Sequence, residues 1–233
     1  YNVDHDALDS DHHPEGRIVH ASFNAFDVLL TYVPNNGFDE KSFSRRRNWD
    51  TAMLRFIEQV ERPLIWVGDL NVAKDWDDVG PDPKWFRDQT NPKTNERPEE
   101  DYCGQPGFTA VEQKRFKAML TTGNLIDSYR HFNPVPNWKQ DVTWRGGASK
   151  PPMPPFAARF YGKGMRIDYC LVSKGLLPRV KSSSCLGYGF DRKGFLGSDH
   201  APMLLELFRE DELEEHARAA APEKVAEIDR KIE

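Results

Sequence analysis

Five side chains carry the chemistry this sequence can offer: Asp69, Asn71, Asp168, Asp199 and His200. Asp69 and Asn71 stand in Gly68-Asp69-Leu70-Asn71, directly after the apolar run Leu64-Ile65-Trp66-Val67. A short run of that kind reads as a buried strand, and side chains at strand ends in α/β sheets face a crevice. On an extended chain an acid and an amide two residues apart point the same way. Together they offer one charged and one neutral oxygen to a hard cation such as Mg²⁺. A plain turn competes with this reading, because Gly, Asp and Asn are turn formers. Asp199 and His200 lie in Gly197-Ser198-Asp199-His200-Ala201-Pro202, just ahead of the apolar stretch Met203 to Leu207. They form a compact acid and base-or-donor pair; the alternative is a capped turn with a surface histidine. Asp168 sits in Arg166-Ile167-Asp168-Tyr169-Cys170-Leu171-Val172. A carboxylate in an apolar strand needs a partner, because burying it alone is costly. His200 is an economical one, with Asp168 fixing the tautomer and orientation of its ring. An ion pair with Arg166 or Arg159 is the structural alternative. The joint set suits metal-assisted attack on a phosphoester. The sequence has no serine nucleophile elbow, no GxxxxGK[ST] phosphate loop and no GxGxxG.

The elements that must position these residues follow from local pattern. Arg17 to Phe23 and Asp27 to Tyr32 are β-rich runs joined by Asn24-Ala25-Phe26, which predicts an antiparallel hairpin. Tyr32-Val33-Pro34-Asn35-Asn36-Gly37 then ends regular structure. Between Ser44 and Glu61, Trp49, Met53, Phe56, Ile57 and Val60 recur at helical spacing, and Pro63 closes that helix. Thr109 to Leu120 is a helix with Thr109 as N-cap and Glu112 completing a capping box. Trp138 to Trp144 reads as a strand, as do Arg166 to Ser173 and Pro202 to Phe208. Trp76 to Pro106 is too long and polar for an ordinary connection. Pro151, Pro152, Pro154 and Pro155 mark a second irregular loop. Interleaved strands and helices give an α/β or α+β class. Residues 1–208 form the expected catalytic domain and 209–233 a charged helical tail, read as solvated, with a partner-binding helix as the sharper alternative.

Composition bounds these readings. The 233 residues are 38% hydrophobic and 12% aromatic, enough for a sizeable core and against general disorder. No run approaches the roughly 18 apolar residues of a membrane helix. Three scattered cysteines, Cys103, Cys170 and Cys185, argue against a disulfide framework or a cysteine-rich zinc site. A reducing intracellular compartment is expected: the nucleus in a eukaryote, the cytoplasm in a bacterium. The net charge is −5, but residues 209–233 hold nine acids against five bases, so most of the imbalance lies in the tail. A local basic face remains open, with Arg45, Arg46, Arg47, Lys150, Arg159 and Lys163 flanking the candidate site in sequence.

Five motifs in order, Tyr32-Val33-Pro34-Asn35, Gly68-Asp69-Leu70-Asn71-Val72-Ala73, Gly107-Phe108-Thr109, Arg166-Ile167-Asp168-Tyr169 and Gly197 to Pro202, resemble those of exonuclease III-type apurinic/apyrimidinic (AP) endonucleases. The resemblance runs from about Glu15 to Phe208. The second and last motifs occur across the wider deoxyribonuclease I-like superfamily, whereas the others point to the AP endonuclease branch. The resemblance implies a four-layered α/β sandwich, with two mixed sheets face to face and helices outside. It implies a Mg²⁺-dependent (or Mn²⁺-dependent) enzyme, monomeric, that cleaves duplex DNA 5′ to abasic sites, with 3′-to-5′ exonuclease or 3′-phosphodiesterase activity beside it. By the same resemblance Asp69 would deprotonate the attacking water, and Asn71 would hold that water or the metal. Asp199 would serve the metal site, and His200, backed by Asp168, would contact the scissile phosphate. Tyr32 and Asn35 would also meet the phosphate. Trp144, Met165 and Ile167 would wall a pocket for the flipped sugar, with Met165 standing where the family usually has Trp. Other substrates of the superfamily, a phosphoinositide or RNA, and a non-catalytic DNA- or protein-binding role are the competing readings.

The family also carries upstream motifs, an early Asn and a metal-binding Glu, that do not occur here. The expectation is an N-terminally incomplete domain, with uncovered sheet surface, weak Mg²⁺ binding and little endonuclease activity in this chain as it stands.

Overall fold

The computed structural model describes residues 2–4, 16–91, 93–94, 100–145, 163–186, 198–213 and 215. The proline-rich loop at 151–155, Lys150, Arg159, Gly197 and most of the tail lie outside the described residues. In chain order the elements are β1 (Asn2–Asp4), β2 (Ile18–Ser22), β3 (Asp27–Tyr32), α1 (Glu40–Gln59), β4 (Leu64–Asp69), β5 (Val79–Gly80), α2 (Pro83–Arg87), α3 (Ala110–Thr122), β6 (Leu125–Asp127), α4 (Ser128–Phe132), α5 (Trp138–Asp141), β7 (Gly164–Met165), β8 (Asp168–Ser173), β9 (Val180–Cys185) and β10 (Met203–Leu207).

The main sheet has the order β1-β2-β3-β4-β8-β6. β3 and β4 run parallel, and the other neighbours are antiparallel. Alternation along the strands sends side chains to two different cores. Leu29, Leu64, Trp66 and Leu171 face α1 and α3, where Trp49, Met53, Ile57 and Phe116 complete the larger cluster. Val28, Ile65, Val67 and Val172 face the opposite way, against Val180, Leu205 and Leu207 of the β9–β10 pair. Helices, main sheet and second sheet are thus three stacked layers of an α/β sandwich among the described residues. On the second-sheet side an apolar trough of about 540 Å³ runs between β3–β4 and β10, and Leu30 and Leu204 are exposed beside it. No helix among the described residues is long and apolar enough to cross a membrane.

Several sequence expectations change in detail. The helix predicted from Ser44 starts earlier, at Glu40, because the Asp39 side chain accepts from the Ser42 N–H. α3 has both capping-box bonds between Thr109 and Glu112. The strand expected at 138–144 is instead the short helix α5, and only Trp144 makes isolated bridges, to Met165 and His200. Its state is set by long-range polar contacts: Asp141 accepts from Tyr129, Arg130 and the Asn137 N–H. The segment expected as a long loop is partly built, with β5, α2 and 3₁₀ turns at Trp76–Asp78 and Glu100–Tyr102.

Candidate active site

Sheet register brings three of the expected residues into one row. Tyr32 at the end of β3 pairs with Asp69 at the end of β4, and Asp69 pairs with Asp168 at the start of β8. Glycine is required at 68, where φ is +134° and a Cβ would lie 2.0 Å from the Thr31 carbonyl oxygen. The chain then reverses at Asn71, which takes the left-handed conformation with φ +48°. The extended geometry expected for Asp69 and Asn71 is therefore replaced by a turn. The two side chains still meet, because the turn folds Asn71 back: its backbone N–H donates to Asp69 Oδ1 at 2.8 Å and its Nδ2 to Asp69 Oδ2 at 3.1 Å. Asn71 Nδ2 also donates to the Val33 carbonyl, and Asn71 Oδ1 accepts from Asn35 Nδ2 at 3.2 Å. Asn35 is thus joined to the site through Asn71.

His200 reaches the row from the other side. Its Nδ1 lies 2.9 Å from Asp168 Oδ2, so the histidine–carboxylate pairing is formed. Arg166 does not compete for Asp168; it pairs with Asp78 and Asp127. Thr143 ties the parts together. Its hydroxyl accepts from the Ile167 and Asp168 N–H groups, each at 3.0 Å, and its carbonyl accepts from Ala201. The turn at 198–200 is capped, with Ser198 Oγ accepting from the His200 N–H, and the histidine still faces inward to Asp168.

The electrostatics are unbalanced. Burial and the neighbouring Asp168 charge push the Asp69 carboxyl up to about 7, although His200 and the Asn71 N–H work the other way. Burial disfavours the charged ring of His200, but the Asp168 hydrogen bond and the charges of Asp168, Asp69 and Asp199 push it up to about 9. One ligand atom each from Asp69, Asp168 and His200 lie within 4.8 Å of one another, a group able to hold a metal ion. The sequence expectation placed Asp199 in that group. Asp199 is exposed, its charge is felt at the His200 ring, and its carbonyl accepts from the Arg145 N–H.

The other expected residues divide. Tyr32 is exposed, with the Arg17 guanidinium 4.7 Å from its ring centroid and Arg17 Nη1 donating to its carbonyl. Met165 and Ile167 are buried in a cluster with Ala73, Val79, Phe86 and Phe108, so plain packing accounts for both; Trp144 is the partly exposed neighbour. Arg46, expected among the flanking bases, is 1% exposed and turned inward. Arg47 pairs with Glu40 and donates to Tyr102, and Lys163 Nζ sits over the Trp85 ring. Arg17 and Arg46 are site-building residues that the sequence reading does not find, and Thr143, expected beside Trp144 at the pocket, has the further role of tying β8 to the His200 turn.

A match to the endonuclease/exonuclease/phosphatase family spans residues 3–200, from the first strand through His200. The chain belongs to that family. Its similarity lies in the AP endonuclease branch, as the motifs suggested. It is 41% identical over 207 residues to a DNA-(apurinic or apyrimidinic site) endonuclease of Arabidopsis thaliana, covering 87% of this chain and 54% of that protein. It is 37% identical over 217 residues to the equivalent-named protein of Plasmodium falciparum, covering 85% of this chain and 33% of that one. Its fold is similar to the structure of an AP endonuclease from Archaeoglobus fulgidus, with a TM-score of 0.62, 22% identity and coverage of 87% and 69%. The chain therefore spans from a third to just over half the length of these two curated relatives. Within the family's fold, the Tyr32–Asp69–Asp168 row with His200 is where this chain gathers acid, base and hydrogen-bond donors.

Proposed function

We propose that this protein is a DNA-repair phosphodiesterase that cleaves the backbone of duplex DNA 5′ to an abasic site. The observation that carries the reading is the row Tyr32–Asp69–Asp168, closed by His200, at one end of the main sheet. Asp69 is the general base: burial and the Asp168 charge raise its carboxyl in the metal-free protein, and an oxygen not held by a metal ion is placed to take a proton from water. Asn71 orients that carboxylate by donating to both oxygens. His200 is held cationic by Asp168 at Nδ1, which leaves Nε2 to donate to a phosphate oxygen. The Tyr32 hydroxyl donates from the opposite side of the row.

Asp69 and Asp168 would hold a Mg²⁺ ion, with Mn²⁺ as a substitute, because a hard divalent cation takes carboxylate oxygens. When bound, such an ion supplies positive charge to the phosphate oxygens. Trp144 forms the exposed part of a wall for a flipped sugar that lacks its base, with Met165 and Ile167 behind it. Single-turnover assays on an abasic duplex, an undamaged duplex, an inositol polyphosphate and poly(A), with Mg²⁺ and with chelator, test the reading. Cleavage confined to the abasic duplex and lost with chelator is expected of a chain that also carries the family's upstream metal-binding Glu, and little cleavage of the 233 residues alone. Preference for the inositol phosphate or poly(A) would overturn it.

A further inference from the structure

We infer that Arg46 is a positioning residue for the catalytic pair Asp69–Asn71; this rests on the hydrolytic reading of the site given above. In sequence Arg46 is the middle of three arginines and looks like part of a solvated basic face. In the fold it is 1% exposed on the inner side of α1, in line with Phe43, Trp49, Asp50 and Met53. A buried guanidinium needs both charge partners and acceptors. Its charge is met by Asp50, at 2.9 Å from Nε, and by Glu112, 3.7 Å from Nη1. Its remaining donors go to three backbone carbonyls: Pro34 at 3.0 Å, Asn71 at 3.1 Å and Leu70 at 3.1 Å.

Those carbonyls belong to the two loops that follow the parallel strands β3 and β4, where ladder hydrogen bonds have stopped and buried acceptors need another source of donors. The first loop carries Asn35 and the second carries Asn71. Arg46 binds both from behind, through one planar group. Its hold on the Asn71 carbonyl has a specific consequence. Asn71 has φ +48°, a conformation costly for a non-glycine residue unless its surroundings fix it. That conformation is what lets its N–H and Nδ2 reach the two Asp69 oxygens. Arg46 thus holds Asp69 in place through Asn71, beside the direct pull of its charge, which the Arg46→Lys variant keeps, and it makes no hydrogen bond to Asp69. A lysine keeps the charge but cannot span three carbonyls and a carboxylate with one ammonium.

The test is Arg46→Lys, read by backbone amide hydrogen exchange and by steady-state cleavage of the abasic duplex in the full-length protein. Exchange of the Asn71 amide should rise by about tenfold, the effect of losing one hydrogen bond's worth of restraint, while Leu171 and Val172 in β8 stay unchanged. kcat should fall by about tenfold or more, with KM held within about threefold. An unchanged Asn71 amide, or a rise spread evenly over all strands, would overturn the proposal. If Arg46→Lys fails to fold, Asp50→Ala, which removes the acceptor of Arg46 Nε, should show the same local rise at Asn71; no rise there overturns it equally. If the wild-type protein cleaves no phosphodiester at all, the hydrolytic reading falls, and with it Arg46's catalytic role. The exchange result then still decides whether Arg46 holds Asn71.

Discussion

Two buried clusters of charge lie within two residues of each other on the chain, and they are built on opposite principles. Arg166 joins Asp78 and Asp127, and Arg130 joins Asp78 and Asp141, so three acids share two guanidinium groups at 2.7 to 2.9 Å. Burial works against the Asp78 charge, yet Arg166 and Arg130 hold its carboxyl below the ordinary value. Two residues on, Asp168 joins Asp69 and His200, where two acids share one titratable base and the Asp69 carboxyl is pushed up instead. The first cluster is closed and locks the turn at 76–78 to the start of β8. Each cluster holds one acid more than it holds bases, but in the second the excess falls on two neighbouring carboxylates that share a single titratable base, and the group opens to solvent, with His200 30% exposed at its side chain. Exposure and the direction of the carboxyl shift separate them: Asp78 is held low in a closed site, whereas Asp69 is raised in a half-open one, where an incoming cation or proton has something to gain.

Breaking the open cluster should cost activity and spare the fold; breaking the closed one should do the reverse. Asp69→Asn and His200→Ala should each lower single-turnover cleavage of an abasic duplex by about 10³-fold or more, since each removes a group aimed at the reacting phosphate. Near-normal rates in both would sink the site assignment. Arg166→Met should destabilise the fold by about 3–5 kcal/mol, because it strands Asp127 and leaves Asp78 with one partner in a site 3% exposed. Urea unfolding measures this, and a midpoint close to wild type would show that the network is not needed for folding.

The contrast also explains what the sequence could reveal. The hairpin β2–β3, α1, α3 and the strand leading to Asp69 rest on local periodicity, turns and a capping box, all readable from neighbouring residues. The pairing of Asp168 with His200 was legible because an acid in an apolar strand demands a partner. The Arg166–Asp78 bond spans 88 residues and has no local signature. α5 was misread for a related reason: the seven-residue run Trp138 to Trp144 ends in the strand-like Val142-Thr143-Trp144, and contacts from Tyr129 and Arg130 decide the state of its first four residues. Arg46 could have been found. It falls three residues before Trp49 and three after Phe43, on the buried phase of the helix, where a charge signals an interior acceptor set.

The smallest expected effect is also the most direct reading of the raised Asp69 carboxyl. The Asp69 carboxyl is raised from its ordinary 3.8 to about 7 in the folded protein. A group raised on folding contributes stability at pH values below its unfolded pKa, and that contribution is lost as pH rises through the folded one. The ionised Asp69 is therefore a burden above pH 7 and neutral in its effect near pH 4. Asp69→Asn removes the charge, while turning one of the two acceptors that face Asn71 into a donor, and it should unfold at higher temperature than wild type at pH 8 in chelator. The two should converge as the pH falls toward 4. A gain of about 1–2 kcal/mol is expected at pH 8, less than the full shift would give, because the NH2 group of the variant faces one of the two Asn71 donors. Millimolar Mg²⁺ should narrow the gap by giving the wild-type carboxylate a partner. Thermal unfolding of both proteins at pH 5 and pH 8, with and without Mg²⁺, reads all four corners. A variant less stable than wild type at pH 8 in chelator would mean that Asp69 is already neutralised in the fold, and the open cluster would then be as closed as its neighbour.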